Sequence, residues 1–144
     1  MRKILFLILL LLSLAACGGN STATSQPTKS MSIACTAAYR ADVSQPIERE
    51  ETLTFGDADA EQSIAFADMV FHAAYSAGKV DNERALRLWV TDSKGTAVFQ
   101  TQLYQLEPDS GPQNQFVGGH GFTGLNYSYH PASSAEMQFW CEAS

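Results

Sequence analysis

Glu83-Arg-Ala-Leu-Arg-Leu-Trp-Val-Thr-Asp-Ser-Lys-Gly95-Thr-Ala-Val-Phe-Gln-Thr-Gln-Leu-Tyr-Gln-Leu106 is the stretch that decides the fold. Leu86, Leu88 and Val90 alternate with Arg87 and Trp89, the period of two that turns one face of a strand inward. Asp92-Ser93-Lys94-Gly95 reverses the chain, with glycine where the turn asks for positive φ. Val98, Phe99, Leu103, Tyr104 and Leu106 populate the return strand, whose inward register the sequence leaves open. This is a β-hairpin, and its period is the standard for reading its neighbours.

Upstream, Met31, Ile33, Cys35, Ala37 and Tyr39 alternate with Ser32, Thr36 and Arg40, so Cys35 points inward. Asp42 to Pro46 is a turn. Ile47 to Phe55 is a second strand with Leu53 and Phe55 inward, and Glu48, Arg49, Glu50 and Glu51 mark it as a charged edge. Asp57 to Gly78 admits two readings. As a helix at about 61–77, Asp59 and Gln62 form a capping pair and Gly78 ends the element. Ile64, Ala67, Val70, Phe71, Ala74 and Tyr75 then share a face. As a strand, Ala67, Met69, Phe71, Ala73 and Tyr75 alternate with Asp68, Val70 and His72. The neighbouring strands favour the second reading.

Downstream, Glu107 to Gly124 breaks the rhythm with Pro108, Gly111, Pro112, Gly118, Gly119, Gly121 and Gly124, around Phe116 and Val117. Long irregular segments in compact domains are uncommon and often functional. Leu125, Tyr127 and Tyr129 resume alternation, and His130 to Ser134 turns the chain. Met137, Phe139 and Cys141 face inward on a last strand, with Gln138 and Trp140 on its other side. The expected fold is all-β, an antiparallel sandwich or small barrel closed by one disulfide. The helix reading of 61–77 gives an α+β alternative.

The N-terminus obeys different rules. Arg2 and Lys3 precede the apolar run Ile4 to Leu12, which is too short for a membrane span and has the form of a secretory signal peptide. Leu14-Ala15-Ala16-Cys17 resembles the lipobox of bacterial lipoproteins. The resemblance implies cleavage before Cys17, a diacylglyceryl thioether on its sulfur and an acylated, palmitate-type amino group. It also implies residence at the cell membrane or outer membrane, anchored through acylated Cys17 with the domain exported. Gly18 favours the outer membrane under Gram-negative sorting. The expected organisation is a signal peptide at 1–16, lipidated cysteine and tether at 17–30, and one β domain at 31–144. Gly18 to Ser30 carries no large apolar residue and is rich in Gly, Ser and Thr, a flexible coil spanning about 20 Å.

Charge narrows the partners. Of the nine basic residues, Arg2 and Lys3 leave with the signal, so seven remain against 15 acidic ones. Nucleic acid is excluded as a partner by this balance and by the lack of a basic cluster. An envelope protein or cationic ligand suits it better. With Cys17 lipidated, Cys35 and Cys141 are left in an oxidising compartment, and a disulfide between them is the economical reading. It closes a loop of roughly 105 residues, for which chain entropy gives about 4–5 kcal/mol.

Candidate chemistry is sparse. Asp57, Asp59, Glu61 and Asp68 fall where an EF-hand loop places ligands, but Gln62 stands at the glycine position and Asp68 is shorter than the bidentate Glu. An acidic turn is the plainer reading. Gly118-Gly119-His120-Gly121 has the form of a backbone nest for an anion, with His120 as acid–base group. The plain alternative is a tight corner. His72, His120 and His130, with Met31, Met69 or Met137, lack metal-ligand spacing. Trp89 and Trp140 face away from the core on their strands and suggest an aromatic binding patch, unless other elements cover them. No catalytic residue and no cofactor is assigned. A non-enzymatic binding or structural module is the leading expectation, with loop 109–124 as working surface. A small periplasmic hydrolase or metal-dependent enzyme using His120 is the alternative. Replacing Cys17 by Ser is expected to abolish palmitate labelling and move the chain from the membrane to the soluble fraction. Retained labelling refutes the anchor.

Overall fold

The computed structural model describes residues 31–78, 83–107 and 111–144. The expected signal peptide, lipidated Cys17 and tether lie outside the described residues. Eight strands follow in chain order: β1 Ile33–Arg40, β2 Arg49–Phe55, β3 Ala60–Ala65, β4 Met69–Ser76, β5 Ala85–Asp92, β6 Val98–Gln105, β7 Asn126–Tyr129 and β8 Glu136–Ala143. They form two four-stranded sheets, β2-β1-β8-β7 and β3-β4-β5-β6. Every pairing is antiparallel. The result is a β-sandwich closed by one disulfide. No α-helix occurs among the described residues.

The inner faces follow the period-two readings. Ile33, Cys35, Ala37 and Tyr39 from β1, Leu53 and Phe55 from β2, and Met137, Phe139 and Cys141 from β8 are buried. They meet Ile64, Met69, Phe71, Ala73, Tyr75, Leu86, Leu88 and Val90 of the other sheet in one cluster. Phe71 and Phe139 touch across the layers, ring centroids 5.3 Å apart. Burial of this kind contributes about 25 cal/mol per Å² of apolar surface and is what holds two sheets face to face.

Residues 57–78 settle as strand rather than helix, but as two strands instead of one. β3 and β4 form a hairpin whose turn is closed by the Phe66 N–H donating to the Met69 carbonyl at 2.9 Å. Phe66-Ala67-Asp68 contains no Gly, Pro or Asn, and Asp68 is its one turn-favouring residue, so the compositional mark is slight. The broad apolar face that suggested a helix divides in space. Ile64 and Phe71 point inward, whereas Val70 and Ala74 lie on the other side of β4. Asp59 and Gln62 are not a helix cap. The Asp59 carboxylate accepts the Ala77 N–H at 2.6 Å, and Gln62 Nε2 donates to the Thr54 carbonyl at 2.8 Å, linking the two sheets.

The 85–105 hairpin is as read. Its turn is held by the Asp92 carboxylate, which accepts the Thr96 and Ala97 N–H groups at 2.6 and 2.9 Å. β6 has the register the sequence leaves open. Gln100, Gln102 and Tyr104 stand opposite Val90, Leu88 and Leu86 and so share their inward face. Leu103 consequently points to solvent.

At one end of the sandwich, Tyr39 OH donates to Asp68 Oδ1 at 2.8 Å and Ser133 Oγ donates to Asp68 Oδ2 at 2.9 Å. The Tyr39 ring stacks on Phe66. Burial, and then the Asp68 carboxylate, push the Tyr39 hydroxyl up, so it stays a donor. The staple itself joins Cys35 and Cys141, which face each other directly on β1 and β8 with Cα atoms 4.1 Å apart and a sequence separation of 106. A Cys35→Ala/Cys141→Ala chain is expected to lose about 2–5 kcal/mol of stability. Urea unfolding of the two chains measures it, and equal midpoints refute a stabilising role.

Candidate functional site

The loop at 111–124 is built against β8. β7 pairs only with Glu136 to Phe139, which leaves the far half of β8 with an unpaired edge on that side. The loop supplies the missing partners, as buried backbone groups require. Thr123 Oγ1 accepts the Cys141 N–H at 2.7 Å, and the Phe122 N–H donates to the Cys141 carbonyl at 3.0 Å. Two residues on, the Asn114 side chain binds Ala143 twice, donating to its carbonyl at 2.7 Å and accepting its N–H at 2.9 Å. One amide thus does the work of a paired strand residue.

Gly121 is what allows this approach. Its φ is +59°, and a Cβ there would lie 2.0 Å from the Cys141 carbonyl oxygen. The glycines read as an anion nest therefore have a structural cause: Gly121 is pressed onto β8. Gly118 and Gly119, both at positive φ, turn the tip. The Gln115 and Phe116 N–H groups both donate to the Gly121 carbonyl, at 3.0 and 3.1 Å, and close that tip.

His120 packs its ring edge-on to Trp140, centroids 5.4 Å apart. Its Nδ1 is buried with no hydrogen-bond partner among the described residues. No carboxylate among the described residues is hydrogen-bonded to that nitrogen. The other histidines are placed alike. His72 stacks parallel on Trp89 at 4.8 Å, and His130 meets Phe99 edge-on at 5.2 Å. Burial, with the Arg87 charge beside it, holds His72 below the usual imidazole range against the opposing pull of Glu61. His130 Nδ1 accepts the Ala132 N–H in its turn. Each imidazole is half of an aromatic pair.

Trp89 and Trp140 do not share a patch. Trp89 is on β5 and Trp140 on β8, in different sheets, and each is half-buried on the outer side of its own. The sandwich thickness lies between them. Arg87 covers the Trp89 ring at 4.2 Å. Of the two, only Trp140 stands beside the loop.

The acidic candidates are dispersed into structural tasks. Asp57 accepts the Met31 N–H at 3.0 Å, Asp59 binds Ala77 and Asp68 holds the Tyr39–Ser133 latch. No group of three or more His, Cys, Asp or Glu able to hold a metal occurs among the described residues.

Two features are given their exposure only by the structure. Phe116 and Val117 are exposed at the loop tip, Val117 by 96%. Tyr127 and Tyr129 of β7 point outward, while Ser128 between them is buried. Beside Tyr129, Glu136 is buried and paired with Arg40 at 2.7 Å. Burial pushes the Glu136 carboxyl up, but hydrogen bonds from Arg40 and Gln138 outweigh it and hold the group below the usual carboxylate range. The Phe116–Val117 tip carries a faint signal, two adjacent large apolar residues in a glycine-rich loop. The tyrosines carry none, since alternation does not say which phase faces in.

A cleft of about 290 Å³ opens between the end of β6 and the loop, lined by Tyr104, Leu106, Pro112 and Phe122 among others. No protein-family model matches this chain, and no curated protein or solved structure is significantly similar to it. Its class rests on the fold: a disulfide-closed antiparallel β-sandwich carrying a clamped loop. Gly121→Ala is expected to cost about 1–3 kcal/mol from the φ alone, and more from the collision with β8. Gly56→Ala, which meets no atom within 4 Å, costs much less. Urea midpoints of the two variants check this, and equal values refute the clamp.

Proposed function

We propose that the chain is a membrane-anchored, non-enzymatic binding module of the cell envelope. Its working surface is the Phe116–Val117 tip with His120 and Trp140 beside it. The observation that carries this reading is Val117, 96% exposed on a loop fastened to β8 through Asn114, Phe122 and Thr123. An apolar side chain held out on a fixed support loses little freedom when a partner covers it, which favours recognition. The half-buried Trp140, packed against His120 of the same loop, is of a residue type enriched where binding energy concentrates.

The partner class is an envelope protein with an apolar recess and a basic rim, since this chain is acidic and charge of opposite sign speeds encounter. The lipid on Cys17 and the tether keep the module close to the bilayer where such a partner resides. A photoreactive amino acid at Val117, in cells making the full-length chain, is expected to give one discrete adduct. The same group at Ser63, on the other sheet, is expected to give none. The purified adduct partner should bind the wild-type chain and lose about tenfold in affinity, or 1.4 kcal/mol, with Val117→Asp. No adduct at Val117 from a folded chain refutes the reading.

A further inference from the structure

The β2-β1-β8-β7 sheet carries two rows of side chains across three strands of its outer face. Arg40, Glu136 and Tyr129 stand opposite one another on β1, β8 and β7, and Ala38, Gln138 and Tyr127 form the next row. An antiparallel sheet ordinarily gives the polar groups of its outer face to water. Here Glu136 is only 3% exposed, while Tyr129 is 57% exposed and Tyr127 44%. The carboxylate lies underneath and the aromatic rings lie on top.

The contacts of Glu136 explain this inversion. Arg40 pairs with it at 2.7 Å, and Gln138 Nε2 donates to the same carboxylate at 2.8 Å. The Tyr129 hydroxyl donates to it as well. The Tyr129 side chain therefore runs from β7 to a carboxylate on β8, across strands about 4.8 Å apart, and lies over the sheet instead of standing out from it. A ring in that posture that is still more than half exposed turns a face to solvent. Tyr127, two residues away on the same side of β7, extends the surface by about 7 Å. A buried ion pair is weak evidence of added stability. What this one does is hold Arg40, Gln138 and Tyr129 each in one place.

We propose that this platform binds a neutral saccharide, whose pyranose rings stack on Tyr129 and Tyr127 while Gln138 bonds their hydroxyl edge. The charge balance selects the class. Arg40 and Glu136 cancel beneath the rings, so the platform offers no free cation to a phosphate or carboxylate and no net negative charge to an ammonium group. In the second row the one charge is Glu50, on β2, two strands beyond Gln138. What remains is neutral. The aromatic faces carry the negative side of the ring quadrupole, which attracts C–H groups. The Gln138 amide has its nitrogen on Glu136 and its carbonyl oxygen left to accept from a ligand hydroxyl. A pyranose combines an apolar C–H face with a rim of hydroxyls and carries no charge, so it meets both demands together. The shape agrees. Two rings side by side on a level sheet suit consecutive units of a linear chain, whereas a protein anchor seeks a recess. The platform is already in place before binding, which keeps the entropy cost low.

Calorimetric titration of the full-length chain, in a detergent without a sugar headgroup, tests this. The probes are chitotetraose, an uncharged N-acetylglucosamine chain of the wall-glycan type, and maltotetraose, an uncharged glucose chain. At least one is expected to bind, and the pair distinguishes an N-acetylated source from a plain hexose one. Tyr129→Ala and Tyr127→Ala should each weaken that binding about tenfold. Tyr127→Phe keeps the ring and should retain it. Val117→Asp should leave it unchanged, so the result stands apart from the reading of the loop tip. Binding of neither saccharide by a wild-type chain that keeps its Cys35–Cys141 bond overturns the proposal, as does equal affinity in both alanine variants. A proline-rich peptide that binds in their place, and is lost with the same alanine variants, assigns the tyrosines to a protein partner and overturns it too.

Discussion

The pairing of β1 with β8 is the constraint on which the other strands depend. These strands come from opposite ends of the described domain, yet they are the two central strands of one sheet. Their register runs unbroken from Ile33 opposite Ala143 to Arg40 opposite Glu136. Joining segments this distant costs chain entropy before any contact forms, a cost that rises with loop length. The Cys35–Cys141 bond shifts much of it onto the unfolded state by keeping the ends together there. Without that pairing the sheet divides into a β1–β2 hairpin and a β7–β8 hairpin, and Phe139 loses the support that presses it onto Phe71. The staple lies inside the core, in the register that alternation had already given both cysteines.

A second consequence follows at the far half of β8. Because β7 ends early, the backbone of Cys141 and Ala143 needs partners that no strand provides. The loop answers with a hydroxyl, a backbone amide and one asparagine side chain. This explains why a segment rich in glycine is nonetheless held in place. The glycines permit an approach to β8 that a Cβ would block, and the hydrogen bonds then fix the result. A loop fastened on both sides of its tip follows from the need to cover an edge, and the exposed Phe116 and Val117 ride on it.

The histidines illustrate how the fold spends groups that the sequence offered for chemistry. His72, His120 and His130 lie on separate parts of the sandwich, each against a different aromatic ring. Ring-on-ring contact fills half-buried surface well and is worth about 0.5–1.5 kcal/mol beyond area for aromatic pairs. Asp57, Asp59 and Asp68 are consumed in the same way, by backbone amides and by the Tyr39–Ser133 latch. Among the large apolar side chains left exposed are Phe116 and Val117 at the loop tip and Leu103 on β6.

The sequence by itself determined the strands whose alternation is strict, namely β1, β2, β5 and β8, and with them the inward direction of both cysteines. Period-two patterning is a local property, so it survives without knowledge of the partner strand. The disulfide was legible for the same reason, because two inward cysteines in one domain have few alternatives. Other features were decided only in three dimensions. The Phe66–Asp68 turn has Asp68 as its one turn-favouring residue, and the pairing of β4 with β3 fixes it. Trp89 and Trp140 share an outward phase but went to opposite sheets, and phase carries no information about which sheet a strand joins. The tyrosines of β7 face out because Ser128 takes the inner side. β6 became an edge strand because strand order, and not strand sequence, decides which strand stands at the margin of a sheet.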